Sequence, residues 1–399
     1  MSLTTPEYLR LTGHKSLSHR LVLSTLTGRP IHVSQIRSSS PTNPGLAPHE
    51  ISLLRLFDSI TNGSVIQISY TGTSFTYIPG IITGGITSGS TDYVRCVLPE
   101  TCRRGVSWFL QPLCLLGPFS KAPLNVRFEG DGVITSSTET GDISVDTMRT
   151  AILPYYEPFG IPTNMLELRV LQRSCTGPGG TGGCGIVELR FGYQLRLPKT
   201  VQLNRCPGQV KRIRGVAYCT GVSASGNMRM IRAARELLNP LLCDINIAAQ
   251  YDQAALVTRG ETKFRLGVGF GLSLIAETTC RGVVYSADNS AKSEGGVTPE
   301  EIGRQCALQL LEVIEQGGFC TIVGSMTIFT LLTMGSEDIG RVRIGRNVLG
   351  TEGIISMARD FKKFGASNWG LRNVKDDHSG DVIVSVKGMG IGNVGKKIG

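Results

Sequence analysis

An arginine, an aspartate and two lysines stand together in Arg359-Asp360-Phe361-Lys362-Lys363. A carboxylate can move a proton while neighbouring cations hold developing phosphate charge, so Arg359, Asp360 and Lys362 form a candidate catalytic set. Helical geometry tempers that reading. At about 100° per residue, Asp360 and Lys362 point to nearly opposite sides of a helix. Arg359, Lys362 and Lys363 share one edge, and Asp360 is placed to pair with Lys363 at i+3. A basic, phosphate-contacting edge therefore fits the spacing better than a convergent triad.

A second candidate is Gly177-Pro178-Gly179-Gly180-Thr181-Gly182-Gly183-Cys184-Gly185. The backbone NH groups of Gly179, Gly180, Gly182 and Gly183 could cradle an anion. No Gly-Lys-Ser/Thr completes a nucleotide-hydrolysing loop, and a plain hairpin connection explains the glycines equally well. The third candidate is a surface. The net charge is +10, and between Glu188 and Glu236 there is no acidic residue. The ten basic residues there are Arg190, Arg196, Lys199, Arg205, Lys211, Arg212, Arg214, Arg229, Arg232, Arg235, which match the excess of the whole chain. So local a patch points to a polyanion or an acidic protein partner. Arg229, Arg232 and Arg235 step beside a buried stripe of Met230, Ile231 and Ala234, and with Lys211, Arg212 and Arg214 they form the expected binding face. Guanidinium forks suit phosphates and carboxylates alike, so RNA and an acidic peptide both stay open.

Other chemistries find little support. The eleven cysteines include no Cys-x-x-Cys pair, and four of the five histidines lie before residue 50, so no metal site and no disulfide framework is expected. His378, in Asp376-Asp377-His378, reads as a surface turn. Met1–Arg10 is polar and lacks the apolar segment of a secretory leader. The apolar run Phe319–Met334 is interrupted by Gly324 and Ser325 and is too short to span a bilayer, so it is expected as a buried helix.

The elements that must position these residues alternate between helical and strand periodicity. Leu17, Leu21 and Val22 fit a helix stopped at Gly28-Arg29-Pro30, and Ile31–Ile36 alternates as a strand. A helix follows from His49 to Asn62, then strands at 64–70 and 74–78. The same succession recurs with helices at 106–117 and 142–159 around a strand at 123–129, then strands at 165–171 and 185–191. A third copy has helices at 319–334 and 352–364, with strands at 341–344 and 381–386. The second helices begin near 49, 142 and 351, so the last interval is longer by about 116 residues, the size of an inserted module. That module is expected over 200–297, with a helix at 228–238 and strands at 244–248, 271–276 and 282–286. Its flanks, 1–199 and 298–399, form one body, and 89–104 reads as an added surface loop. The fold class is α/β: three repeats of two helices on a four-stranded sheet, with one inserted smaller α/β module.

The opening stretch also carries a resemblance. Leu26-Thr27-Gly28, Ile36-Arg37 and Pro44-Gly45-Leu46 with His49 resemble the start of the RNA 3'-terminal phosphate cyclase family. Catalytic members open the first helix with a glycine-rich GGGQ-type turn and place a histidine nucleophile just before the last helix. Here those places read Thr12-Gly13-His14-Lys15-Ser16 and Val348-Leu349-Gly350-Thr351. The resemblance therefore points to the cyclase-like branch that works in ribosome assembly. It implies a nuclear, nucleolar protein acting in early small-subunit pre-rRNA processing. Its partners would be a ribosome-assembly GTPase and pre-rRNA within a precursor particle, with no cofactor and no membrane. It leaves a scaffold role and an endoribonuclease using Arg359, Asp360 and Lys362 in competition, and disfavours an active cyclase. A neutral imidazole is what attacks the α-phosphate in a cyclase. Labelled ATP should therefore leave no covalent AMP on the purified chain; a labelled adduct at any histidine would contradict this.

Overall fold

The computed structural model describes residues 7–84, 93–180, 182–192, 197, 200–241, 244–374 and 380–391. Helix α1 (Leu17–Thr27) begins after Ser16 and ends at Gly28, whose φ of 68° is the left-handed cap that only glycine adopts without strain. α2 (Pro48–Ile60) has Pro48 in its first turn, and the Glu50 carboxylate accepts the Ala47 NH at 2.8 Å. α3 (Ser107–Leu116) follows, and further along the chain lie α4 (Ser225–Leu238), α5 (Pro299–Gln316), α6 (Ile322–Met334) and α7 (Glu352–Lys363).

Three four-stranded sheets share one order of pairing. In the first, Leu9–Thr12 runs parallel to Ile31–Ser34, which pairs antiparallel with Phe75–Ile78 and that strand with Val65–Ile68. The second joins Val94–Val97, Leu124–Glu129, Ile186–Phe191 and Leu166–Gln172 in the same sense. The third joins Gln202–Leu203, Ile339–Ile344, Val382–Lys387 and Gly370–Asn373. α1 packs on α3, α3 on α6, and α6 on α7, so the parts before and after the inserted residues share one core.

Three details depart from the sequence expectations. The stretch expected as a surface loop over 89–104 contains Val94–Val97, the parallel edge of the second sheet; Gly89–Asp92 lie outside the described residues. The helix expected over 142–159 is broken into an α turn (Val145–Thr147), a π segment (Met148–Ile152) and a 3-10 segment (Leu153–Phe159). Pro154 and Pro158 supply no NH to an α ladder, which accounts for the change of pitch. Finally, the boundaries at 200 and 297 cut across two contacts. Gln202–Leu203 belongs to the third sheet, while α5 packs against α4 and against Val284–Ser290.

The fourth sheet has the order Ile245–Asp252, Val210–Thr220, Gly269–Thr278, Val284–Ser290, with only the first pair parallel. α4 and α5 approach closely because position 303 is glycine: a Cβ there would stand 2.3 Å from the Met230 carbonyl. This unit docks on the second sheet through polar contacts. The Arg173 guanidinium donates to Asp146, with one Nη2 bond of 2.9 Å, and its Nε donates to Gln250 at 2.9 Å. The Ser144 NH donates to Asp288 at 2.5 Å, and the Cys175 NH to the Gly267 carbonyl at 2.9 Å. Asp146 is 1% exposed. Replacing Arg173 by Met would leave that buried carboxylate with only the 3.3 Å bond from Arg149 and should cost about 3 kcal/mol of unfolding free energy, read from a urea titration of the full chain. A loss below 1 kcal/mol would show that water already reaches the pair.

Candidate functional site

A polar cleft of about 550 Å³ opens into the body. Residues from the first turns of α1, α2, α3, α6 and α7 all reach it: Leu17, His49, Ser107, Val323 and Gly353. Helix N-termini carry unsatisfied NH groups and the positive end of the macrodipole, so five of them on one cleft favour an anion. Its wall adds Lys15, Arg37 and Arg104, each opposed by an acid. Lys15 pairs with Glu352 at 2.8 Å, Arg37 with Glu50 at 2.6 and 2.8 Å, and Arg104 with Asp142 at 2.5 Å. Trp108 stands between Arg104, 5.4 Å from its ring centroid, and the edge-on ring of His49 at 4.9 Å.

The backbone here is held in an uncommon conformation. Among the described residues the non-glycine positions with positive φ are Ser16, Gln35 and Arg37, and Ser16 and Arg37 line the cleft. Such strain persists where surroundings impose it. Arg37 is fixed by Glu50 and by donating to the Gly45 carbonyl at 3.0 Å. Gly45, at φ 82°, could bear no Cβ, which would lie 2.7 Å from the Thr71 carbonyl.

Burial pushes the imidazoles of His19 and His49 down to about 4, and burial with the nearby Arg37 charge lowers His14. The cleft therefore presents neutral rings near pH 7. His19 is fully occupied, with Nε2 3.0 Å from the Thr330 hydroxyl and Phe361 edge-on at 5.1 Å. Thr351, at the start of α7, donates its hydroxyl to the Val348 carbonyl at 2.8 Å. The cleft is built to hold negative charge and lacks an imidazole at that position.

The residues singled out in the sequence are not brought together. Asp360 is 2% exposed and binds the Arg20 guanidinium of α1 at 2.8 and 3.3 Å, so the expected partner Lys363 is replaced by a residue 340 positions away. Arg359, Lys362 and Lys363 are exposed, and Arg359 and Lys362 border an apolar groove of about 450 Å³ with Ile355, Trp369 and Leu371. Gly179, Gly180, Gly182 and Gly183 lie away from the cleft. The Gly179 NH donates to Ser293, and Cβ atoms at Gly182 and Gly183 would meet the Asp131 and Val133 carbonyls at 2.4 and 2.2 Å. Two of these glycines thus permit close backbone packing, whereas Gly180 faces open space. Most of the basic face is already paired. Arg212 binds Glu277, Arg214 binds Asp244, Arg229 binds Glu300, and Arg232 lies 3.6 Å from Glu236. Arg235 donates to the Ile245 carbonyl, and Lys211 is exposed. Arg196, Lys199 and His378 lie outside the described residues.

Sequence reasoning did not single out Lys15, Arg104, Glu50 or Asp142 for the cleft, although Arg37 and His49 belong to the stretch that carries the family resemblance. A model of the family "RNA 3'-terminal phosphate cyclase" matches residues 9–378. The chain belongs to that family. Within it, the chain is 35% identical over 398 residues to the "rRNA processing protein RCL1" of Saccharomyces cerevisiae, covering 100% of both chains. It is 36% identical to the "rRNA processing protein rcl1" of Schizosaccharomyces pombe, over 99% of this chain and 100% of that one. To the "RNA 3'-terminal phosphate cyclase-like protein" of Mus musculus it is 38% identical, over 84% and 83%. These similarities place it on the non-cyclase branch.

His19 gives a direct test of the buried helix. The unfolded imidazole binds its proton near 6.5 and the folded one near 4, so the unfolded state binds more protons between these values. Its contribution to stability is intact above 6.5 and is lost as pH falls towards 4, by up to about 3 kcal/mol. A His19→Gln variant should show a shallower acid loss than wild type in urea titrations across that range; parallel curves would mean that His19 takes up its proton in the fold as readily as in the unfolded chain.

Proposed function

We propose that the protein acts in rRNA processing as a non-catalytic scaffold. In this reading it works early in small-subunit assembly in the nucleolus, bound to a ribosome-assembly GTPase and close to pre-rRNA. The names of the Saccharomyces cerevisiae and Schizosaccharomyces pombe relatives support the rRNA-processing part. The observation that carries the non-catalytic part is the state of Asp360. A general base must reach the proton it takes. Asp360 instead lies beneath the surface with both oxygens on Arg20, facing away from the exposed Arg359 and Lys362.

The cleft retains the electrostatics of a phosphate site without the family's nucleophile, consistent with holding an anion and leaving it unchanged. The groove beside α7 supports a protein contact. Ile355 is 41% and Leu371 62% exposed, and Arg359 and Lys362 would favour an acidic, apolar segment such as a GTPase could offer. Arg212, Arg214, Arg229 and Arg232 would have to exchange their present acids for any new partner, which weakens them as the main contact.

The endoribonuclease alternative is tested with a labelled pre-rRNA fragment and purified protein. The expected result is an intact fragment. Because Asp360→Ala would unfold the α1–α7 contact as well as remove a carboxylate, the informative variants are Arg359→Ala and Lys362→Ala, both at exposed positions. Site-specific cleavage by wild type that either variant abolishes, with its melting transition unchanged, would replace the scaffold reading by an enzymatic one.

A further inference from the structure

The inserted unit carries a projection that none of the preceding roles uses. Ala255–Arg259 and Thr262–Leu266 form a two-stranded antiparallel sheet of their own, joined through Gly260 at φ 62°. Only its base is embedded: Ala254 is 5% and Leu266 3% exposed, and Ala254 seats against Gly221. Further out the hairpin is open. An isolated pair of strands is marginal in water, so an arm of this kind is best stabilised by what it lies against.

The register defines what the arm presents. Leu256 is opposite Arg265 and Thr258 opposite Lys263, and directly opposed residues share a face. All four are exposed, Leu256 at 62%, and the adjoining edge strand exposes Tyr251 at 51%. Lys263 and Arg265 make no ion pair among the described residues, unlike Arg229 and Arg232 of α4, which are matched by Glu300 and Glu236. The segment 255–266 holds Arg259, Lys263 and Arg265 against Glu261 alone, and Glu261 sits at the turn. Unpaired cations beside an exposed aliphatic side chain match a nucleic-acid strand, whose phosphates take the cations and whose sugars and bases take the apolar surface.

We infer that the hairpin 255–266 is an RNA-contacting arm, with Lys263 and Arg265 on phosphates and Leu256 against the adjoining sugar and base. This rests on the reading that the protein meets pre-rRNA directly. A protein partner fits less well, because the face offers two separated charges and one aliphatic side chain but no groove.

The test uses the full chain and a fluorescein-labelled, mixed-sequence single-stranded RNA, with anisotropy titrations over a range of salt. The double variant Lys263→Ala/Arg265→Ala should reduce the slope of log K against log salt by about 1.4, since each single-strand phosphate contact contributes about 0.7. An Arg169→Ala control, which removes an exposed charge already matched by Glu167 at 2.7 Å, should leave the slope within about 0.3 of wild type. A second readout avoids substitution altogether: bound RNA should protect wild type from trypsin cleavage after Lys263 and Arg265. If wild type binds RNA but the double variant binds with the same slope and RNA gives no protection, the arm is not the contact, and the pre-rRNA reading stands without it. If wild type binds no RNA at low salt, both fail together. Loss of a protein partner by the double variant with an unchanged RNA slope would also overturn the inference and assign the arm to protein.

Discussion

The constraint on which the body depends is that α1 is buried on every side. Residues 17–26 are all buried, including Ser18, His19, Arg20, Ser24 and Thr25. Polar groups withdrawn from water must be partnered or the helix would not form there. Each partner comes from a different part of the chain. His19 meets Thr330 of α6, Arg20 meets Asp360 of α7, and Thr25 meets Tyr77 of the first sheet at 2.9 Å. Ser24 closes the local turn by donating to Arg29 at 2.6 Å. A helix of this kind cannot be satisfied by one unit alone, so the first and last parts of the chain are bound into one body around it.

That arrangement also produces the cleft. Because α2, α3, α6 and α7 pack around α1 with their first turns at one end, their unsatisfied NH groups collect there. The acids beside Lys15, Arg37 and Arg104 temper the resulting potential and fix the cations in place. Glu50 serves twice, since the same carboxylate holds Arg37 and accepts the NH of Ala47 at the start of α2. An anion entering this cleft would find geometry already set, which lowers the cost of ordering the site. No imidazole stands over 348–351, just before α7, and the Thr351 hydroxyl there is turned to the backbone.

The inserted unit is joined by a different kind of contact. Arg173, Asp146 and Gln250 make a buried polar junction, and Asp288, whose carboxyl is pushed up to about 6 by burial, receives the Ser144 NH. These bonds are directional, so they set the orientation of the unit more than they add net stability. The glycine-rich segment belongs to this junction, passing between residues 131–133 and Ser293.

Local features were legible in the sequence because their causes are local. Glycines at 28, 160 and 365 end helical segments at positive φ, as the stops at those positions imply, and alternating residues at 31–34, 124–129 and 382–387 form strands. The absence of histidine over 348–351 and the α/β class also follow from residue order alone. What residue order does not fix is which distant group answers a charge. Spacing offers Lys363 to Asp360 because i+3 neighbours are always near, but burial beside α1 gives it Arg20. The acid-free segment looks cationic along the chain, yet Glu277, Asp244 and Glu300 fold back onto it. Short strands such as 94–97 and 202–203 exist only because a neighbour supplies their hydrogen bonds. Sequence determined where segments begin, end and bury a face; tertiary structure decided the pairing of charges, because desolvation and long-range contact appear only once the segments are packed.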